Sequence, residues 1–138
     1  MSASNKTVGN SFEAELCELL AEHGFWAHNL AQNQTGQPAD VIAVKNDIAY
    51  LIDCKVCEHD RFPFSRVEDN QEGAMTLWEL RGNSNCYFAL KDSQERIYMV
   101  HFDDISARIM VYGQSAINDF TELPTFKEWL EEQRCIQR

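Results

Sequence analysis

Asp53 and Lys55 stand two residues apart in Ile48-Ala-Tyr-Leu-Ile-Asp-Cys-Lys-Val56, an otherwise mostly apolar run. Side chains alternate faces along a strand, so Ala49, Leu51, Asp53 and Lys55 share one face, and Ile48, Tyr50, Ile52, Cys54 and Val56 the other. A carboxylate and an ammonium then project the same way, about 6–7 Å apart along the strand. Desolvating such a pair costs free energy unless partners compensate. Taken by itself, it reads equally well as a structural salt bridge. Asp40 changes that reading. It opens the preceding run, Asp40-Val-Ile-Ala-Val44, and Asn46-Asp47 has the composition of a hairpin turn. In a hairpin the start of one strand lies beside the end of the other, which sets Asp40 next to Asp53 and Lys55. Two carboxylates at one end of a sheet form a hard-oxygen site suited to Mg²⁺ or Mn²⁺, ions that keep several waters and need few protein carboxylates. The backbone carbonyl of Cys54 is a further oxygen donor.

A third carboxylate is expected from the first helix. Glu15, Glu18 and Glu22 form one stripe away from the apolar face and read as a solvated surface. Glu13 aligns with Leu16, Cys17 and Leu20 at the helix start and is favoured as the acid that points into a cleft. On the next helix Val67, Gln71, Ala74 and Trp78 share a face, with Gln71 its polar member. A buried, hydrogen-bonded glutamine is the simplest reading there. Cys54-Lys-Val-Cys57 with His59 is a competing zinc or redox pattern, but a single CxxC without a partner pair is a weak signal, and Cys54 faces away from Asp53.

These residues need a scaffold of alternating helices and strands. A flexible lead over residues 1–8 precedes one domain, 9–138. A helix starts near Gly9-Asn10-Ser11 and stops at Gly24. Strands follow at 25–30, 40–44 and 48–56, then an irregular loop at 57–64 and a helix from about Arg66 to Arg81. Strands at 86–90 and 97–102 and a last helix from Pro124-Thr125 to about Arg134 complete the assignment; 103–124 fit no clear pattern. The order predicts an α/β fold with a central mixed sheet flanked by helices.

Composition bounds the rest. The chain of 138 residues suits one domain, and 44% hydrophobic residues suffice for a core. No run approaches the ~20 apolar residues of a membrane span, and the polar start lacks a signal core, so a cytoplasmic location is expected. Five cysteines, an odd number, argue against a disulfide framework; Cys17 and Cys86 read as small buried hydrophobes. The formal charge of −10 runs against a basic nucleic-acid surface. Phosphate contacts need only a local patch, however, and a catalytic metal site itself requires carboxylates.

Glu13, Pro38-Ala-Asp40 and Asp53-Cys-Lys55, in this order and on these elements, resemble the PD-(D/E)XK nuclease signature. More narrowly the chain resembles Holliday junction resolvases of the RecU and archaeal types, in Gly9-Asn-Ser-Phe-Glu13 opening the first helix, Phe62-Pro-Phe64 after the core motif, and Gln71 on the next helix. The likeness spans about residues 9–102. It implies a restriction-endonuclease-like fold and a metal-dependent endonuclease of branched DNA, active in recombination and repair. Asp40 and Asp53 would bind the metal, Glu13 would bind or orient it, Lys55 would position the attacking water and stabilise charge, and Gln71 would match the polar residue of the following helix. No organic cofactor is implied. The chain departs from the family in the alanine between Pro38 and Asp40 and in Asp53, where many resolvases have glutamate. Lys6, Lys45, Arg61 and Arg66 flank the site and are candidate phosphate contacts, as is the 31–37 loop. Two symmetric cuts imply a twofold homodimer. Phe62, Phe64 and Trp129 are interface candidates, with core packing the simpler reading for each.

Overall fold

The computed structural model describes residues 5–30 and 37–136, with side chains from residue 11 to 135 within those spans. Helix α1 (Asn5–Glu22) leads into strand β1 (Trp26–Asn29), then β2 (Val41–Lys45) and β3 (Ile48–Val56). A two-residue strand β4 (Phe62–Pro63) and a 3-10 turn at Phe64–Arg66 precede helix α2 (Asp69–Leu80). Strands β5 (Cys86–Lys91) and β6 (Ile97–His101), helix α3 (Phe102–Met110), strand β7 (Ala116–Ile117) and helix α4 (Phe126–Ile136) follow.

One five-stranded sheet runs β1-β2-β3-β5-β6. Pairing is antiparallel except between β3 and β5, which are parallel with α2 in the crossover. The expected mixed sheet is therefore present. β4 pairs with β7 in a separate two-stranded ribbon. Asn46 and Asp47 both take positive φ, 51° and 67°, the conformation of a tight hairpin turn that matches strand twist. They fix the register Val41↔Ile52 through Lys45↔Ile48. At the end of α1, Gly24 has φ 86° and Phe25 N–H reaches back to Leu20 O, a glycine C-cap that sends the chain into β1.

The alternation read along β3 separates two cores. Tyr50, Ile52 and Cys54 join Phe12, Leu16, Leu20 and Trp129 beneath α1 and α4. Leu51 joins Met75, Phe88, Val100, Phe102 and Ile105 beneath α2 and α3. Phe62 (0% exposed), Phe64 (8%) and Trp129 (1%) are core residues, so they offer no interface.

Some boundaries differ from the expected ones. α1 begins at Asn5, so neither Asn10 nor Ser11 caps it. α2 begins at Asp69, because Phe64–Arg66 closes as a 3-10 turn and Gln71 Oε1 accepts the Glu68 N–H, ending the loop there. The stretch 103–124 holds most of α3, then β7 and a 3-10 turn at Phe120–Glu122. His101 caps α3 by accepting the Asp103 N–H, a side chain outside the usual Ser, Thr, Asp and Asn signal.

Candidate active site

The hairpin register brings the start of β2 to the end of β3. Asp40 N–H donates to Ile52 O (3.1 Å), Asp40 O accepts from Leu30 N–H (2.9 Å), and Asp40 Oδ2 accepts from Cys54 N–H (2.8 Å). That last bond ties the carboxylate to the β3 backbone one residue beyond Asp53. Asp53 is fully buried. Its Oδ1 accepts from Gln71 Nε2 (2.8 Å), and its Oδ2 lies 3.1 Å from Lys55 Nζ. Lys55 Nζ also donates to Gln71 Oε1 (3.3 Å). Gln71 thus uses both ends of its amide on the acid–amine pair while its oxygen holds the start of α2. From the other face α1 presents Glu13, 5% exposed and beside Asp40.

Asp40 stands between the two other acids, and its charge raises both Glu13 on one side and Asp53 on the other. The three do not close into a tight triangle. Among the described residues the set of three whose ligand atoms all lie within 4.8 Å of one another is Glu79, His101 and Asp103. The His101 ring is already engaged at both nitrogens, with Asp103 N–H at Nδ1 and Ser84 O at Nε2.

Electrostatics agree with the geometry. Burial, then the neighbouring Asp40 charge, pushes Glu13 up to about 7, with Lys55 opposing. Burial and Asp40 raise Asp53 well above the carboxylate range, again against Lys55. Carboxyls packed this closely keep protons that a cation would replace. One observation is specific: Asp53 Oδ2 is buried and accepts no hydrogen bond of good geometry. A divalent ion with hard-oxygen preference satisfies such an atom, so the residues present fit the group that the motif implies.

The cleft encloses about 410 Å³. Besides Glu13, Asp40, Cys54, Lys55 and Gln71 it is lined by Glu58, His59, Arg66 and Glu68. Glu58 and Glu68 carried no catalytic signal in the sequence, although Glu68-x-x-Gln71 has the spacing of a capping box. A hollow of about 510 Å³ at the far end of β2, floored by Phe25, Phe126 and Leu130, is larger but brings no carboxylates together.

The candidate phosphate contacts scatter. Arg66 lies on the cleft rim, with Nη1 donating to Val56 O (2.9 Å). Lys45 instead donates to His23 O at the end of α1 (2.7 Å), and Arg61 donates to Asn118 (3.1 Å). The Lys6 side chain and residues 31–36 of the polar loop lie outside the described residues. Glu15 pairs with Lys91 at 2.6 Å and is not a free surface charge. The cysteine alternative fails, since Cys54 packs under α1 and Cys57 under α2, on opposite faces of the sheet. Burial raises both thiols, Cys57 to about 11.

Comparison with known proteins places this geometry. The family model described as archaeal Holliday junction resolvase (Hjc) matches residues 4–135. The solved structure of Archaeoglobus fulgidus Hjc, a Holliday junction resolvase from an archaeal hyperthermophile, superposes with a TM-score of 0.66 at 16% identity. The match covers 89% of this chain and 98% of that one. A search of curated proteins finds no match.

Proposed function

The chain belongs to the archaeal Holliday junction resolvase family, a family of phosphodiester-cleaving nucleases, and from that premise we propose that its cutting centre is the cleft between α1 and α2. Asp40 and Asp53, with the Cys54 backbone carbonyl, would hold a divalent cation, Mg²⁺ or Mn²⁺, and Glu13 would bind or orient it. When bound, the cation supplies Lewis acidity: it acidifies a water and offsets charge on the scissile phosphate. Lys55 presents its ammonium to the phosphate oxygens as their negative charge builds. Gln71 acts through others, holding Asp53 Oδ1 and Lys55 Nζ in one arrangement. Burial and Asp40 hold Glu13 up at about 7, so binding a cation there would release protons around neutral pH. Arg66 contacts substrate phosphate at the rim, and Lys45 and Arg61, engaged with His23 and Asn118, are weaker contacts, with Lys6 a further candidate.

The observation that carries this reading is the buried Asp53 Oδ2, beside Asp40 and Lys55, without a hydrogen bond. The substrate is branched DNA, and the active species is a homodimer, because resolving a four-way junction takes two symmetric cuts. Exposed Leu77 and Leu80 on α2 and Ile109 to Tyr112 at the end of α3 provide apolar surface for it. Among the described residues no helix is long and apolar enough to cross a membrane. The test is cleavage of synthetic four-way, nicked and linear DNA with Mg²⁺ and with Mn²⁺. Wild type should cut the four-way substrate preferentially and Asp53→Asn should not cut. Equal cutting of all three substrates removes the junction assignment, and cutting by Asp53→Asn removes the site assignment.

A further inference from the structure

Trp26 and His28 lie on the edge strand of the sheet, and nothing in the fold requires an indole at position 26. Ala27 packs into the core beneath α1. By alternation its neighbours project from the opposite face, the one that carries Leu51, Asp53 and Lys55. Helices α2 and α3 do not reach that far. The core beneath them draws residues from β3, β5 and β6 but none from β1 or β2. Among the described residues the outer part of this face is therefore open. Trp26 is 60% exposed, and its ring stacks on His28 at 5.8 Å between centroids and 8° between planes. Two parallel rings form a flat shelf, and among the described residues no third ring stacks on Trp26.

The shelf lies on the same face of the sheet as Asp40. Register sets Trp26 opposite Val44 and His28 opposite Ile42, and Leu30, at the end of β1, hydrogen-bonds Asp40. At about 3.4 Å per residue, Ile42 and Val44 lie roughly 7 and 14 Å along β2 from Asp40. That is about two to four stacked base steps. The cation placement adds a reason for such a contact. Among the described candidate phosphate contacts only Arg66 lies on the cleft rim, so a contact that does not depend on phosphate attraction adds to affinity. Stacking of a base on an aromatic ring is independent of net charge. In continuous duplex every base face is already covered by the next pair. At a branch point the stack ends or splays, leaving a base face to cover.

We propose that Trp26, supported by His28, is a stacking platform for the base exposed at the branch point, and that it selects branched over continuous DNA. This rests on the branched-DNA reading above and names the residues that enforce it. The test measures binding without divalent metal, so that nothing is cut. A four-way junction and a linear duplex of the same sequence are compared, with 2-aminopurine at the branch. Both positions are exposed, so Trp26→Ala and His28→Ala should melt as wild type does. Trp26→Ala should weaken junction binding roughly five- to hundred-fold, the loss of one stacked base, and leave linear-duplex binding unchanged. Trp26→Phe should retain most of it. Wild type should quench the 2-aminopurine and Trp26→Ala should not. Junction preference unchanged in Trp26→Ala overturns the platform alone, as does equal loss on both DNAs. A shift of Trp26→Ala from dimer to monomer in sedimentation also overturns it, assigning the surface to a second copy. Wild type without junction preference removes the underlying substrate reading, and the platform with it.

Discussion

Gln71 Nε2 donates a 2.8 Å hydrogen bond to Asp53 Oδ1, joining the first turn of α2 to the end of β3 through a buried carboxylate. The same amide's oxygen accepts from Lys55 Nζ and from Glu68 N–H. One side chain therefore sets where the helix begins and how the acid and amine are held. Gln71→Ala should lower cleavage about 10- to 100-fold, the usual effect of removing a group that orients a ligand. It should also cost about 1–3 kcal/mol of stability, since buried partners lose their bonds. Turnover and thermal melts of the variant check both. Full activity in a folded Gln71→Ala protein would contradict the positioning role.

Lys55 offers a separate handle on chemistry. Lys55→Met keeps most of the buried stem and removes the charge. Cleavage should fall about 10²- to 10³-fold, as for loss of one stabilising donor, while Mn²⁺ still binds. Single-turnover cleavage and calorimetric titration together distinguish this from a lost metal site; loss of Mn²⁺ binding would make Lys55 part of that site's integrity.

The acid cluster predicts a pH dependence in metal-free protein. Glu13 is raised to about 7 by burial and Asp40, and Asp53 is raised as well. In the unfolded chain both return to roughly 4. Between about pH 4 and 7 the folded state then holds more protons than the unfolded one, so this contribution to stability falls as pH rises. The Tm of Glu13→Gln minus that of wild type, measured in chelator, should therefore grow from about pH 5 to pH 8 and shrink again on adding Mn²⁺. A difference that is flat with pH contradicts the raised value.

A purely structural acid serves as the contrast. Asp92 is buried in the turn between β5 and β6, where it accepts from Gln94 N–H, Arg96 N–H and Arg96 Nε. Burial opposes its ionisation, but the Arg96 and Gln94 hydrogen bonds win and hold it below the usual carboxylate range. Asp92→Ala should cost about 1–3 kcal/mol and several degrees of Tm, with kcat unchanged at a temperature where the variant is folded. A large drop in kcat there would link this turn to the cleft.

The candidate centre was legible as a cluster because its parts are local and periodic. Nine residues of β3 showed both faces, and Asn46-Asp47 showed the hairpin that carries Asp40 to Asp53. Choosing Glu13 over Glu15 followed from helical phase, and Glu15 proved to pair with Lys91. What stayed hidden depends on tertiary contact. His101 caps α3 without a standard capping residue type. β7 is two residues long and exists by pairing with β4. Trp26 falls within the strand expected at 25–30, and its exposure follows from how far α2 and α3 extend over the sheet.

The central claim is that Asp53 and Asp40 together hold the metal. Titration of Mn²⁺ into wild type, Asp53→Asn and Glu79→Gln by calorimetry tests it most directly. The account predicts that wild type and Glu79→Gln bind alike, while a folded Asp53→Asn loses at least about tenfold in affinity. Asp53→Asn binding as wild type does, with Glu79→Gln losing the ion, would contradict it and move the metal to the Glu79, His101 and Asp103 cluster.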